Sequence, residues 1–177
     1  MEDAEYSSSK VANSIAFVLI CFFFYQLVFQ NKETIFLDHL NLAYHEAGHL
    51  FLSCGSQTLH ILGGTLGQLF FPLLIAVVFF MKGQKFASSV MGFWFFENFM
   101  NIARYVEDAE ETRLPLVGGF GGPVIHDWNW LLSEWNCLDQ CYVYADRLRF
   151  ISKAGMSLTL IIAFVLLIAS FRKKSGE

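Results

Sequence analysis

Charge is scarce in this sequence. Lysine, arginine, aspartate and glutamate together make up 16% of its 177 residues, where a soluble domain carries about a quarter. No stretch combines a basic patch with interleaved aromatic residues, and the net charge is -4. This excludes the usual electrostatic footprint of a nucleic-acid binder. There is no glycine-rich phosphate loop, low-complexity run or internal repeat. The four cysteines do not form a framework. Cys21 and Cys54 sit in apolar segments and read as small core residues. Cys137 and Cys141 are four apart in a polar segment. They can pair in an oxidising space, but two free thiols on one helix face are the simpler reading, and without a second pair they are weak metal ligands.

Apolar residues fill the space that charge leaves. They make up 55% of the chain, with 20 phenylalanines. The composition predicts one integral-membrane domain over residues 1–177, an all-α polytopic transmembrane helix bundle of four to five segments. The predicted spans are residues 11–29, 35–54, 66–81, 86–105 and 156–171, with a hydrophilic loop over 106–153. Each except the second is apolar enough to cross about 30 Å of hydrocarbon. The acidic, polar start and the long apolar run after it do not suit a cleaved signal peptide, so the run reads as a retained first helix. Basic residues at 82–85 and 172–174 look cytoplasmic. With five crossings this puts the N-terminus outside. Small size points to a bacterial inner membrane, and an aromatic-rich bundle can self-associate as a homo-oligomer.

Residues 35–54 do not suit lipid. They contain His39, Asn41 and His45-Glu46-Ala47-Gly48-His49. The pentapeptide matches His-Glu-x-x-His. On a helix its two histidines lie one turn apart on one face. Two imidazoles so placed can hold one zinc ion, and the adjacent Glu46 can act as general base for a water. A chance match is common in soluble chains, and a structural polar cluster is the competing reading. Three ionisable groups within five residues are rare in an apolar segment, however, and make a functional site the default. Gly48 lets another helix or a substrate strand come close.

A catalytic zinc site normally takes three protein ligands. His39 and His60 are near in sequence, and Asp108, Glu111, His126 and Asp127 lie downstream. His126-Asp127 stands out because it follows the run Gly118-Gly119-Phe120-Gly121-Gly122-Pro123. That run is a candidate re-entrant loop, permitted at membrane depth only where it lines a cavity. Either residue can be the third ligand. If His126 binds, Asp127 caps a helix running through Trp135 or orients a ligand imidazole. If Asp127 binds, His126 can donate to the reacting oxyanion. Glu97, Asn98 and Asn101 are embedded in the fourth span. They serve either as interhelical hydrogen bonds or, for Asn98 and Asn101, as cavity-lining groups that touch substrate.

These residues resemble the site-2-protease class of membrane-embedded zinc metalloproteases. That class carries His-Glu-x-x-His in a transmembrane helix, often as His-Glu-x-Gly-His, which Ala47-Gly48 satisfies. The resemblance implies zinc on His45 and His49, with Glu46 as catalytic base. The third ligand of the class is an Asp, typically in Leu-Asp-Gly after Asn-Pro. This chain lacks that motif, and His126-Asp127-Trp128 is the nearest substitute. Gly63-Gly64, Asn98 and Asn101 lie roughly where the class has further elements. The expected activity is hydrolysis of peptide bonds in transmembrane or membrane-adjacent segments. The alternative is a non-catalytic membrane scaffold or assembly subunit that keeps a protease-like fold. A di-iron hydroxylase is disfavoured, because such sites need several histidine clusters and this chain has five histidines in all.

Overall fold

A computed structural model describes residues 2–32, 34–117 and 124–172. Among the described residues there are six α-helices, one 3-10 turn (Leu138–Gln140) and no strand. The helices are α1 (Glu2–Val28), α2 (Leu37–Phe51), α3 (Gln57–Met81), α4 (Lys85–Glu107), α5 (Asp127–Glu134) and α6 (Cys141–Arg172). Three of them are long and apolar enough to cross a membrane, over Lys10–Val28, Gln57–Met81 and Leu138–Arg172. The fold is therefore all-helical with membrane character, as its composition predicts. The glycine-rich run at 118–123 lies outside the described residues.

Several boundaries differ from those expected. Helix α3 starts at Gln57, nine residues before the span expected from residue 66, and runs straight through Gly63 and Gly64. Those glycines serve close packing, described below, and a helix tolerates them at about 1 kcal/mol each. Pro72 lies inside α3 without ending it, a tolerance known for membrane helices. Helix α6 starts at Cys141, so the later part of the hydrophilic loop is a helical extension of the last span.

The chain condenses into two compact units, interleaved along the sequence. The first gathers α1, residues 72–96 and α6 from Lys153 onward. Within it, α1 and α6 run antiparallel: Phe17 meets Phe164 at 5.8 Å, and Lys10 Nζ lies 5.1 Å from the Phe171 ring centroid. Helices α3 and α4 form a hairpin through Gly83, whose φ of +75° favours glycine. Ser88 Oγ donates to the Ala76 carbonyl across that hairpin at 2.8 Å. The outward faces of α1 (Val11, Ile15, Val18, Phe22) and α6 (Leu158, Ile161, Val165) are exposed and apolar. Such stripes at helical spacing call for an apolar surrounding.

The second unit gathers the described residues of 36–71 and 97–152. Its helices α2 and α3 meet backbone to backbone. A Cβ on Gly48 would run into the Gly63 carbonyl, and one on Gly63 would lie 2.7 Å from the Gly48 carbonyl oxygen. The close approach expected of Gly48 is thus made by a neighbouring helix. A separate core joins the end of α4, α5 and the start of α6 through Ile102, Val106, Ala109, Leu132, Cys141 and Ala145. Burying each of the larger aliphatic chains is worth about 1.5–3 kcal/mol. This core fixes the position from which α5 presents its first residue.

Candidate metal centre

Helix α2 carries His45 and His49 one turn apart, with ring centroids 4.8 Å from each other. Both Nε2 atoms point at one oxygen of Asp127: His45 at 2.9 Å and His49 at 3.1 Å from Oδ2. Tetrahedral zinc, with bonds of about 2.0–2.1 Å, places its ligand atoms ~3.3 Å apart. The three ligand atoms all lie within 4.8 Å of one another, so the group can hold a metal ion.

The far side of each ring decides what the near side offers. His45 Nδ1 lies 3.0 Å from Gln68 Oε1, and His49 Nδ1 lies 2.8 Å from the His60 carbonyl oxygen. Both partners only accept, so a ring protonated on Nδ1 satisfies them and leaves its Nε2 lone pair for a metal ion, whereas a ring protonated on Nε2 donates to Asp127 instead. Asp127 adds a third acceptor. With both rings protonated on Nδ1, a cation would be needed among the three acceptor atoms. Gly64 supplies the space. A Cβ there would crowd Nε2 of His45 and sit 2.6 Å from Nε2 of His49. Donor set and cradle therefore both fit a metal. His60 returns the favour on the outside, its Nδ1–H donating to the His49 carbonyl at 3.1 Å.

Asp127 is delivered by a set of local bonds. His126, not Asp127, is the N-cap of α5: its Nδ1 accepts from the Asn129 N–H at 3.2 Å. Its Nε2–H faces Asp108 Oδ2 at 3.3 Å. With an imidazole doing the capping, the Asp127 carboxylate is released toward the histidines. Burial pushes the His126 pKa down against the pull of Asp108, which suits a neutral ring that accepts at Nδ1. Tyr105 packs against His126 with tilted rings whose centroids are 4.2 Å apart, and its hydroxyl oxygen accepts from the Asp127 N–H at 3.0 Å. Asn129 Nδ2 donates to the Ala109 carbonyl at 2.8 Å. Burial alone pushes the Asp127 carboxyl up, but hydrogen bonds to His45 and His49 outweigh it and hold the group below the usual carboxylate range.

The remaining candidates fall into place around this group. Glu46 is half-buried beside His45 and is not one of the three converging groups. It is near enough to His49 and Tyr105 to act on both electrostatically. Asn98 is fully buried. Asn101 bridges Gln68 and Asp38. Asn41 Nδ2 donates to Glu97 Oε2 at 2.9 Å, so the Glu97 carboxylate engages in interhelical bonding. His39 is exposed. Sequence reasoning passed over Gln68, Tyr105 and the capping role of His126, and it named Gly64 without its place beneath the two Nε2 atoms. The one available signal was spacing: Gly63 and Gly67 lie four apart on α3, a small-residue face suited to meeting Gly48.

No protein-family model, no curated protein and no solved structure matches this chain.

Proposed function

We propose that the chain is a membrane-embedded zinc metalloprotease of site-2-protease type, cleaving peptide bonds in transmembrane or membrane-adjacent segments. One observation carries this reading: two imidazole Nε2 atoms and a carboxylate oxygen from a residue 82 positions away converge on one point. His45, His49 and Asp127 would hold the ion. A borderline cation with nitrogen and oxygen ligands and an open fourth position suits zinc, which when bound acidifies water and polarises a carbonyl. Glu46 takes the proton from the attacking water and passes it to the leaving amine. Tyr105 and the His126 cap hold the Asp127 carboxylate in place, and the α5 core keeps that position rigid.

Helix lengths and the contacts within the first unit favour four crossings in place of five, made by the three long apolar helices and the less apolar α4. Helix α4 has 23 residues, about 35 Å of helix, and α2 has 15, about 22 Å. The first length can cross hydrocarbon and the second falls short. The antiparallel contacts of α1 with α6, and of α4 with α6 at Phe96 and Gly155, gather Lys10, Lys82, Lys85 and Arg172 at one end. The positive-inside rule makes that end cytoplasmic, with both chain ends on the same side.

The test is Glu46→Gln. The parent should carry about one zinc per chain and cleave a reporter membrane segment, and the variant should keep the zinc and lose cleavage. Equal cleavage by the variant overturns the mechanism. Metal-free parent, purified without chelator, favours the scaffold reading instead.

A further inference from the structure

We propose that the centre of His45, His49 and Asp127 opens at one membrane surface, opposite the basic hairpin at 82–85, and takes substrate segments that leave the bilayer there. The substrate class rests on the metalloprotease reading above, whereas the depth of the centre does not. The groups that build the centre lie close to the ends of their helices. His49 is two residues from the end of α2 at Phe51, and Asp127 is the first residue of α5. Tyr105, which holds the Asp127 N–H, is two residues from the end of α4 at Glu107. Gly64, beneath the two Nε2 atoms, is seven residues into α3, about 10 Å along a helix of about 37 Å. A centre at mid-bilayer needs about 15 Å of hydrocarbon on each side.

Polar, exposed chain surrounds those helix ends. Asp108, just past α4, accepts the Arg113 and Leu114 N–H groups at 2.9 Å and also faces His126 Nε2 at 3.3 Å. Arg113 and Leu114 are exposed, so a solvated loop is two hydrogen bonds from the residue beside Asp127. The bend after α2 is exposed at Ser53, Cys54, Gly55 and Ser56. Arg104, Arg113 and Arg149 pair here with Asp38, Glu111 and Glu107. The hairpin at the far end of α3 marks the cytoplasmic side by the positive-inside rule, which makes this end the other one. A peptide bond at mid-span is far from such a centre, and unwinding it in hydrocarbon strands its N–H and C=O. A bond just outside the hydrocarbon meets neither obstacle. The substrate that fits is a transmembrane helix with an extended non-cytoplasmic tail, cut where helix and tail join. Leu50 and Phe51, exposed beside His49, offer the last apolar turn of that helix a surface.

The experiment uses the full-length protein, loaded with zinc and sealed in vesicles of known orientation. EDTA, too charged to cross the bilayer, should strip zinc from the non-cytoplasmic face and not from the cytoplasmic face. A membrane-impermeant maleimide should label Cys54 from the same face only, with that signal lost in Cys54→Ser. Single-span reporters carry a helix-breaking cut segment at the non-cytoplasmic end, at mid-span or at the cytoplasmic end. The first should be cleaved roughly 100-fold faster than either other. Zinc stripped or Cys54 labelled from the cytoplasmic face, or a mid-span reporter cut as fast as the first, overturns the proposal. Zinc stripped from the expected face with no reporter cut leaves the placement standing and defeats the protease reading. If the protein takes up no zinc, the metal reading fails and the face from which Cys54 is labelled decides the placement.

Discussion

In the first unit, helices meet through rings and small groups. Phe17 meets Phe164, Gly92 faces the Thr159 methyl, and Gly155 lies under the Phe96 ring. In the second unit, besides the glycine contact of α2 with α3 and the apolar core around α5, helices are joined by hydrogen bonds between side chains far apart in sequence: His45 to Gln68 and Asp127, Asn41 to Glu97, Asn101 to Asp38. Both units share the same apolar background. Buried polar groups must find partners, and each one left alone costs about 1–3 kcal/mol. A contact of rings and methyls carries no such obligation. The first unit is therefore tolerant and the second exacting, and the exacting unit is where the candidate chemistry lies.

Substitutions that add one carbon sharpen the contrast most. Gly64→Ala puts a methyl where the ion would sit, between the two Nε2 atoms. The expected outcome is loss of zinc binding with helical circular dichroism retained, and a stoichiometric metal analysis decides it. Acid should act next. Zinc ligation needs neutral imidazoles, whose ordinary pKa is about 6.5. Protons compete with zinc for the rings, so zinc is held above that range and released as pH falls below it, at a lower pH the tighter the site. Metal analysis after dialysis at stepped pH reads the transition, and retention at pH 4 would speak against histidine ligation.

Tyr105→Phe removes the acceptor of the Asp127 N–H. A stranded, part-buried donor costs about 1–3 kcal/mol, so stability to denaturant should fall by that amount, with a modest loss of zinc affinity. The smallest effect belongs to the tolerant unit. Gly92→Ala brings a methyl to 3.1 Å from Thr159 Cγ2, a contact that a slight shift relieves. Stability should change by about 1 kcal/mol or less, and zinc content should not change. A loss of zinc there as large as in Gly64→Ala would erase the distinction between the units.

Part of the site can be read directly from sequence because it is local. His45 and His49 need only helical spacing to share a face, and Gly48 needs only its missing side chain to signal a close neighbour. The third converging group was narrowed to two adjacent residues but not resolved. The deciding fact, that His126 spends its Nδ1 on capping α5, depends on Asp108 and Tyr105 at the end of another helix. Gln68 was invisible for a similar reason. A lone glutamine in an apolar helix has no local partner that explains it, and its meaning lies 23 residues back at His45. The all-helical class was legible, with three long apolar helices where four to five spans were expected, whereas the extents of α3 and α6 were not. Glycines that mark a turn in one context are, at Gly63 and Gly64, the surface against which α2 rests.

The paired bonds between His49 and His60 have a mechanical consequence. Each ring ties itself to the main chain of the opposite helix, so the end of α2 and the beginning of α3 are laced together across the bend at 52–56. Prying that bend open would swing the His49 ring away from its carbonyl and spoil its aim. Conversely, anything that clamps the imidazole from the inside also braces the bend. Occupancy at the centre and firmness of the outer hairpin then rise and fall as a single property.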